Sequence, residues 1–355
     1  MIINSDDDNR KLDTSNQLDA KEIDFDKSFE TSIRPKTFSE YIGQTELKET
    51  LSISIESAKK REQCIDHMLF YGPPGLGKTT LAGVIANEMG VNIKITSAPA
   101  LERPRDIIGI LMSLKAGEIL FIDEIHRLNK VAEEILYPAM EDFFIDMMTG
   151  KSQATKNLRI PVPKFTLIGA TTKAGSLSGP LRDRFGIIHR LEFYTVKELT
   201  DVLERTSKIL DIKINDKGLE AIARRSRGTP RIANRLIKRV RDYALVRYDS
   251  DINETIANEA LDLLKIDTCG LNSMDRNLLK LIIEKYDGGP VGIETIAAAL
   301  CEDLKTIEDV CEPYLLQSGL ILRTPRGRKV SPEGYRILNI KPPSIQGSLF
   351  DKENI

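Results

Sequence analysis

The chain has 355 residues, 41% of them hydrophobic and 29% charged, with a formal net charge of −2. That length exceeds one ordinary core and points to two or three domains, and the composition excludes a disordered or fibrous protein. No apolar run is long enough to span a bilayer, and the polar, acidic start cannot serve as a secretion signal, so a cytoplasmic protein is expected. The cysteines (Cys64, Cys269, Cys301, Cys311) and histidines (His67, His126, His189) are scattered, so neither a disulfide framework nor a zinc site is indicated.

In chain order, residues 1–27 are acidic and lack a hydrophobic period, so a disordered tail is expected there. From Ile33-Arg34-Pro35 the chain passes through Phe38 to Gly43 into an amphipathic stretch ending near Lys60. Strand-like runs then recur at His67 to Tyr71, Asn92 to Thr96, Ile119 to Ile122, Phe165 to Gly169 and Ile187 to Phe193, separated by helix-patterned segments. This alternation predicts an α/β domain over 28–194 with a parallel sheet covered on both faces. The pattern breaks over 143–163, where two apolar runs flank a polar turn with Gly150, Ser152 and Gln153; an inserted β-hairpin is expected.

Past Tyr194 the strands stop. Helices are predicted at Val196 to Leu210, Asp216 to Arg225, Pro230 to Tyr248 and Asn253 to Leu264, a small all-α domain over 195–266. Over 267–340 three helical segments precede two short strands around Pro325-Arg326-Gly327, the order of a winged-helix module. Residues 341–355 read as a flexible tail. The modest net charge conceals two basic clusters, Arg224 to Arg247 and Arg323 to Lys329, that could meet phosphate.

The chemistry centres on Gly72-Pro73-Pro74-Gly75-Leu76-Gly77-Lys78-Thr79-Thr80, a complete G-x-x-x-x-G-K-[ST] pattern between a strand and a helix. Such a loop turns backbone N–H groups and a helix N-terminus toward a polyphosphate, with Lys78 reaching the β- and γ-phosphates and Thr79 ligating Mg²⁺. A buried strand ends in Asp123-Glu124; as a parallel neighbour of the phosphate-loop strand it would bring Asp123 to the metal's water shell and Glu124 to the attacking water. A third strand ends in Thr171-Thr172 at the same edge.

These motifs, with Leu181-Arg182-Asp183-Arg184-Phe185 and Gly228-Thr229-Pro230-Arg231, resemble those of AAA+ ATPases. More narrowly, Tyr41-Ile42-Gly43-Gln44, Asp123 to Leu128 and Arg323 to Arg328 resemble the RuvB family of bacterial Holliday-junction branch-migration motors, and the likeness runs from residue 30 to about 340. The resemblance implies an AAA+ P-loop parallel-sheet ATPase domain, a small all-α lid domain and a C-terminal winged-helix domain. It implies Thr172 as sensor 1, Arg231 as sensor 2 and Arg184 as an arginine finger acting in a neighbouring subunit. Nucleotide contacts are implied at Ile33, Arg34, Gly75, Gly77, Lys78, Thr79, Thr80, Glu141, Asp142, Phe143, Tyr194 and Arg231, with ATP and Mg²⁺ as cofactors, and DNA contacts at Arg323, Arg326 and Arg328. The implied partners are five further copies in a homohexameric ring, double-stranded DNA at four-way junctions, RuvA through the hairpin 143–163, and the resolvase RuvC. Gln346 to Phe350 separately resembles the Gln-x-x-Leu-Phe peptide that docks on the sliding clamp. Two other readings compete: a clamp-loader-like switch, and a DNA-binding regulator whose ATPase core controls oligomerisation. The basic C-terminal module disfavours the loader, and motifs across all three domains favour the motor.

Overall fold

A computed structural model describes residues 32–149, 156–248 and 251–342. The expected acidic tail, the tip of the hairpin and the Gln346 to Phe350 peptide lie outside those residues. The described chain falls into two compact units, one built from the chain up to Ile212 together with Thr229–Asn234, the other from Lys213–Gly228 and from Arg235 onward.

The first unit opens with helix α1 (Thr45–Lys60), followed by β1 (Met68–Tyr71), α2 (Lys78–Met89), β2 (Ile93–Ser97), α3 (Pro104–Met112), β3 (Ile119–Asp123) and α4 (Lys130–Glu141). The hairpin β4 (Phe144–Thr149) and β5 (Lys156–Pro161) interrupts the alternation before β6 (Thr166–Thr171), the short α5 (Gly179–Arg182), β7 (Ile187–Arg190) and α6 (Val196–Ile209). Five strands form one sheet in the order β2-β3-β6-β1-β7, and every pairing is parallel. β1, β3 and β6 are buried on both faces, which is why they read as continuous apolar runs rather than alternating ones. The expectation that the Asp-Glu strand lies beside the phosphate-loop strand is corrected: β6 stands between them, pairing with both.

Apolar side chains of α3 and α4 (Ile107, Leu111, Leu136, Ala139) cover the sheet through Leu120, Ile122 and Leu167. The hairpin joins this core at its base through buried Ile145, while Leu158 is 50% exposed and Arg159 lies 3.7 Å over the Phe144 ring. Helix α6 is held to the segment before α1, where the Arg205 guanidinium donates to the Ile33 carbonyl (2.6 Å) and pairs with Glu40 (3.1 Å).

In the second unit α7 (Asp216–Arg224), most of α8 (Pro230–Arg247) and α9 (Glu254–Leu263) form the helical part, with Asn215 and Asn253 capping two of the helices. α10 (Ser273–Tyr286), α11 (Ile293–Leu300), α12 (Leu304–Thr306), a π-turn at Ile307–Cys311 and α13 (Glu312–Gln317) precede the antiparallel pair β8 (Ile321–Thr324) and β9 (Gly327–Val330), and α14 (Pro332–Ile337) follows. A bridge from Val291 to Arg328 adds the third strand of a winged helix, a pairing of one residue that no sequence period could signal.

His67, at the foot of β1, accepts the Leu167 N–H at Nδ1 (2.8 Å), so its Nε2 donates to the Met140 carbonyl (3.0 Å). The Nδ1 bond needs the neutral ring, and burial, outweighing the Met140 carbonyl that would favour the charged form, lowers its pKa below the ordinary 6.5. Because the unfolded state then binds the extra proton first, stability should be fully present above about pH 6.5 and fall as pH drops, by up to about 1.4 kcal/mol per pH unit. Urea unfolding at pH 5 and pH 8 should show that loss in the parent and a flatter dependence in His67→Gln.

Candidate active site

The phosphate loop follows β1 and ends at the first turn of α2. Gly77 caps that helix at φ +94°, and a Cβ there would come 3.2 Å from the Tyr41 hydroxyl, so the loop needs glycine both for its turn and for space. Lys78 is 7% exposed, and its Nζ donates to the carbonyls of Gly72 (2.8 Å) and Pro73 (2.9 Å). Burial lowers its pKa, opposed by the carboxylates of Glu124 and Asp123. Those carboxylates therefore lie close enough to be felt by the lysine, although a strand separates their parent strands. Thr79 and Thr80 follow in the first turn, both half-buried.

Asp123 ends β3, and burial raises its pKa, partly offset by the Glu124 N–H that donates to Oδ1 (3.0 Å). Glu124 adopts a left-handed conformation (φ 49°), which turns its side chain out of the strand's alternation. Its Oε2 accepts from the Thr172 hydroxyl (3.1 Å) and lies 3.1 Å from His126 Nδ1, which is also 2.8 Å from the Thr171 hydroxyl. Asp123, Glu124 and Thr172 thus meet as the motifs predicted. His126 joins them unforeseen: its only sequence signal was its place in Asp123-Glu124-Ile125-His126, two residues beyond the glutamate.

Around the loop, Ile33 and Tyr194 are buried and Arg34 is half-buried. Gly43 (φ +79°) lets Tyr194 approach to where a Cβ would be 2.7 Å from its ring. Gln44 fixes this segment to the chain after β7 by exchanging hydrogen bonds with the Glu192 backbone (2.7 and 3.2 Å). Burial pushes the Tyr194 phenol up to about 12. The Arg231 N–H donates to the Gly75 carbonyl (3.4 Å), so the start of α8 packs directly on the phosphate loop. Tyr41, part of the Tyr41-Ile42-Gly43-Gln44 motif but given no site role from sequence, is buried beside Gly77.

Arg184 lies just past α5, its side chain 22% exposed. Its guanidinium donates to the Pro180 carbonyl (2.6 Å) and to Glu141 (3.1 Å), and stacks 4.5 Å from the Tyr137 ring centroid. Glu141, expected among nucleotide contacts, is therefore engaged with the finger candidate. Asp142 is exposed, and Phe143 packs edge-on against Phe165 at the base of the hairpin.

In the wing, Arg323 and Arg326 are exposed. Arg328 departs from the expectation of a phosphate-facing arginine: it is 11% exposed and forms a bidentate pair with Glu312 (2.9 and 3.1 Å), joining β9 to α13. In the cluster Arg224 to Arg247 several arginines already have partners within the chain. Arg225 is buried on Asp262, Asn258 and the Ile266 carbonyl, Arg227 pairs with fully buried Asp275 at the start of α10, and Arg224 and Arg241 pair with Glu220 and Asp242.

A glycine-rich loop at the end of a parallel strand, an Asp-Glu pair and a threonine at the ends of two further strands, and a helix start lying on that loop define an AAA+ P-loop ATPase. Comparison with known proteins narrows the class. Residues 33–191 match the family model of the Holliday junction DNA helicase RuvB P-loop domain, 194–267 the RuvB AAA lid domain, and 268–339 the RuvB C-terminal winged helix domain. The chain is 57% identical over 328 residues to the Holliday junction branch migration complex subunit RuvB of Trichormus variabilis and to that of Nostoc punctiforme, covering 92% of this chain and 90% of each relative. The solved Thermotoga maritima RuvB Holliday junction branch migration motor is similar at a TM-score of 0.80 and 50% identity, covering 88% of this chain and 100% of that one. The chain belongs to the RuvB family. Among the described residues no helix is long and apolar enough to cross a membrane.

The Thr172 hydroxyl contacts the carboxylate rather than the loop, so Thr172→Val should leave nucleotide Kd within about twofold and lower kcat by about tenfold or more. Equilibrium binding of a fluorescent nucleotide beside steady-state turnover separates the two.

Proposed function

We propose that this chain is the ATP-hydrolysing motor subunit that branch-migrates Holliday junctions, working as a homohexameric ring on duplex DNA together with RuvA and a RuvC-type resolvase. The observation that carries the proposal is the meeting of Lys78, Asp123, Glu124 and Thr172 at one sheet edge, in a chain whose three parts all match RuvB models. Domains over 28–194, 195–266 and 267–340 are proposed as ATPase, lid and DNA-binding head.

The phosphate loop and the start of α2 offer backbone N–H groups to the polyphosphate, and Lys78 exchanges its two carbonyl partners for phosphate oxygens. The donor set fits a hard cation, with the Thr79 hydroxyl at the helix start and the Asp123 carboxylate at the end of β3, one strand removed from β1. Mg²⁺ bound by these two groups would neutralise charge on the β- and γ-phosphates. Glu124 accepts a proton from the attacking water, while Thr172 and His126 set the direction of its carboxylate. Ile33, Arg34 and Tyr194 enclose the base, and Arg231 reads the nucleotide from α8. Arg184 completes the neighbour's site, and Glu141, Asp142 and Phe143 lie beside it at the same end of α4.

The head is proposed to hold duplex DNA through Arg323 and Arg326, with Arg328 bracing the wing from behind through Glu312. Phosphate contacts suit a motor that must bind every sequence alike. The hairpin 143–163 offers RuvA its exposed Leu158, and the peptide Gln346 to Phe350 is proposed for the sliding clamp.

ATP-dependent migration of a synthetic four-way junction, stimulated by RuvA, tests the reading. Lys78→Ala should abolish migration, and Glu124→Gln should bind ATP but turn over at least about a hundredfold more slowly. Migration that survives Lys78→Ala would refute it. Arg326→Ala should weaken duplex binding by a factor that shrinks as salt rises, and should lower the slope of log K against log salt by about one unit, with basal ATP turnover retained.

A further inference from the structure

The geometry points to Tyr137 as the positioning residue for Arg184, holding the finger in shape before a neighbour's nucleotide arrives. The inference rests on the reading of Arg184 as that finger. Glu133, Tyr137 and Glu141 lie four residues apart along α4, so they share one face of the helix. The Tyr137 ring and the Glu141 carboxylate bracket the guanidinium, at 4.5 Å to the ring centroid and 3.1 Å to Oε2.

The same tyrosine also fixes the root of the finger. Ser178 precedes α5, the single turn that leads into Arg184, and its hydroxyl donates to buried Glu133 (2.7 Å). The Tyr137 hydroxyl donates to that Glu133 oxygen (2.9 Å) and lies 3.3 Å from the Ser178 hydroxyl. Burial raises the Tyr137 pKa, which keeps the phenol in its donating form. One side chain therefore supports both ends: its hydroxyl ties down the segment carrying Arg184, and its ring lies beneath the guanidinium.

Long arginine side chains lose rotamer freedom when they engage a transition state, and a finger already held in place has less to lose. Arg184 is held without being saturated, because its Nε is buried and has no hydrogen-bond partner. Glu141 is about half exposed, so it is a partner that a more strongly charged phosphoryl group can displace, whereas the ring stays beneath the guanidinium throughout.

The test compares Tyr137→Leu, Tyr137→Phe, Ser178→Ala and Arg184→Ala in full-length chains under conditions of ring assembly. Tyr137→Leu should lower kcat about tenfold with nucleotide Kd, KM and ring mass unchanged. Tyr137→Phe, which keeps the ring face, should retain more of the rate. When either Tyr137→Leu or Arg184→Ala is combined with Lys78→Ala and mixed with parent chains, turnover at the parents' sites should fall. If Arg184→Ala loses turnover while Tyr137→Leu does not, or if Tyr137→Leu changes KM alone, the inference is overturned. If Tyr137→Leu does not fold, Ser178→Ala decides: a lowered kcat at unchanged Kd supports the inference, and an unchanged kcat overturns it. Full activity of Arg184→Ala would instead remove the finger reading itself.

Discussion

Parallel pairing of five strands is the constraint from which the site follows. A parallel ladder brings all the C-terminal strand ends to one edge, and the register here sets Tyr71 opposite Thr171 and Ile122 opposite Gly169. The phosphate loop, the Asp-Glu pair and the threonine pair therefore emerge together, although about a hundred residues of chain separate the first from the last. Burial of β1, β3 and β6 on both faces holds that register, since slipping one strand would tear a continuous apolar core.

At that edge each charged group already has a partner inside the chain. Lys78 is bound to two loop carbonyls and Glu124 to Thr172 and His126, while Arg184, at the opposite edge just before the start of β7, is bound to Glu141 and Pro180. A buried charge without partners would cost several kcal/mol, on the order of 3–5 where one member of a buried pair is removed. The contacts keep the site folded and oriented while each remains exchangeable for a phosphate oxygen or a water. In the second unit the arginines behave differently. Arg225 is buried against Asp262, and half-buried Arg227 and Arg328 pair with buried Asp275 and Glu312, which fastens these segments together and leaves exposed Arg323 and Arg326 to face solvent.

Much of this was legible in the sequence because the signals are local. The five strand runs, the hairpin and the helix order were readable from period and turn chemistry, and the phosphate loop from a contiguous pattern. Missed were features set by pairing across the chain: β6 lying between β1 and β3, the one-residue third strand at Val291, and His126 reaching Glu124. The basic clusters misled for the same reason. Arg227 and Arg328 look alike to a charge count, and only their partners 48 and 16 residues away identify them as internal struts. Tyr137 was silent because an aromatic at helical spacing ordinarily signals core.

The central claim is that the site at the sheet edge is completed by a second copy of the chain. It is tested most directly by ATP turnover per chain measured across a dilution series with saturating nucleotide and duplex DNA, alongside particle mass. Turnover should rise steeply where rings assemble and be close to zero for monomers. Equal turnover per chain from strictly monomeric protein would contradict the account.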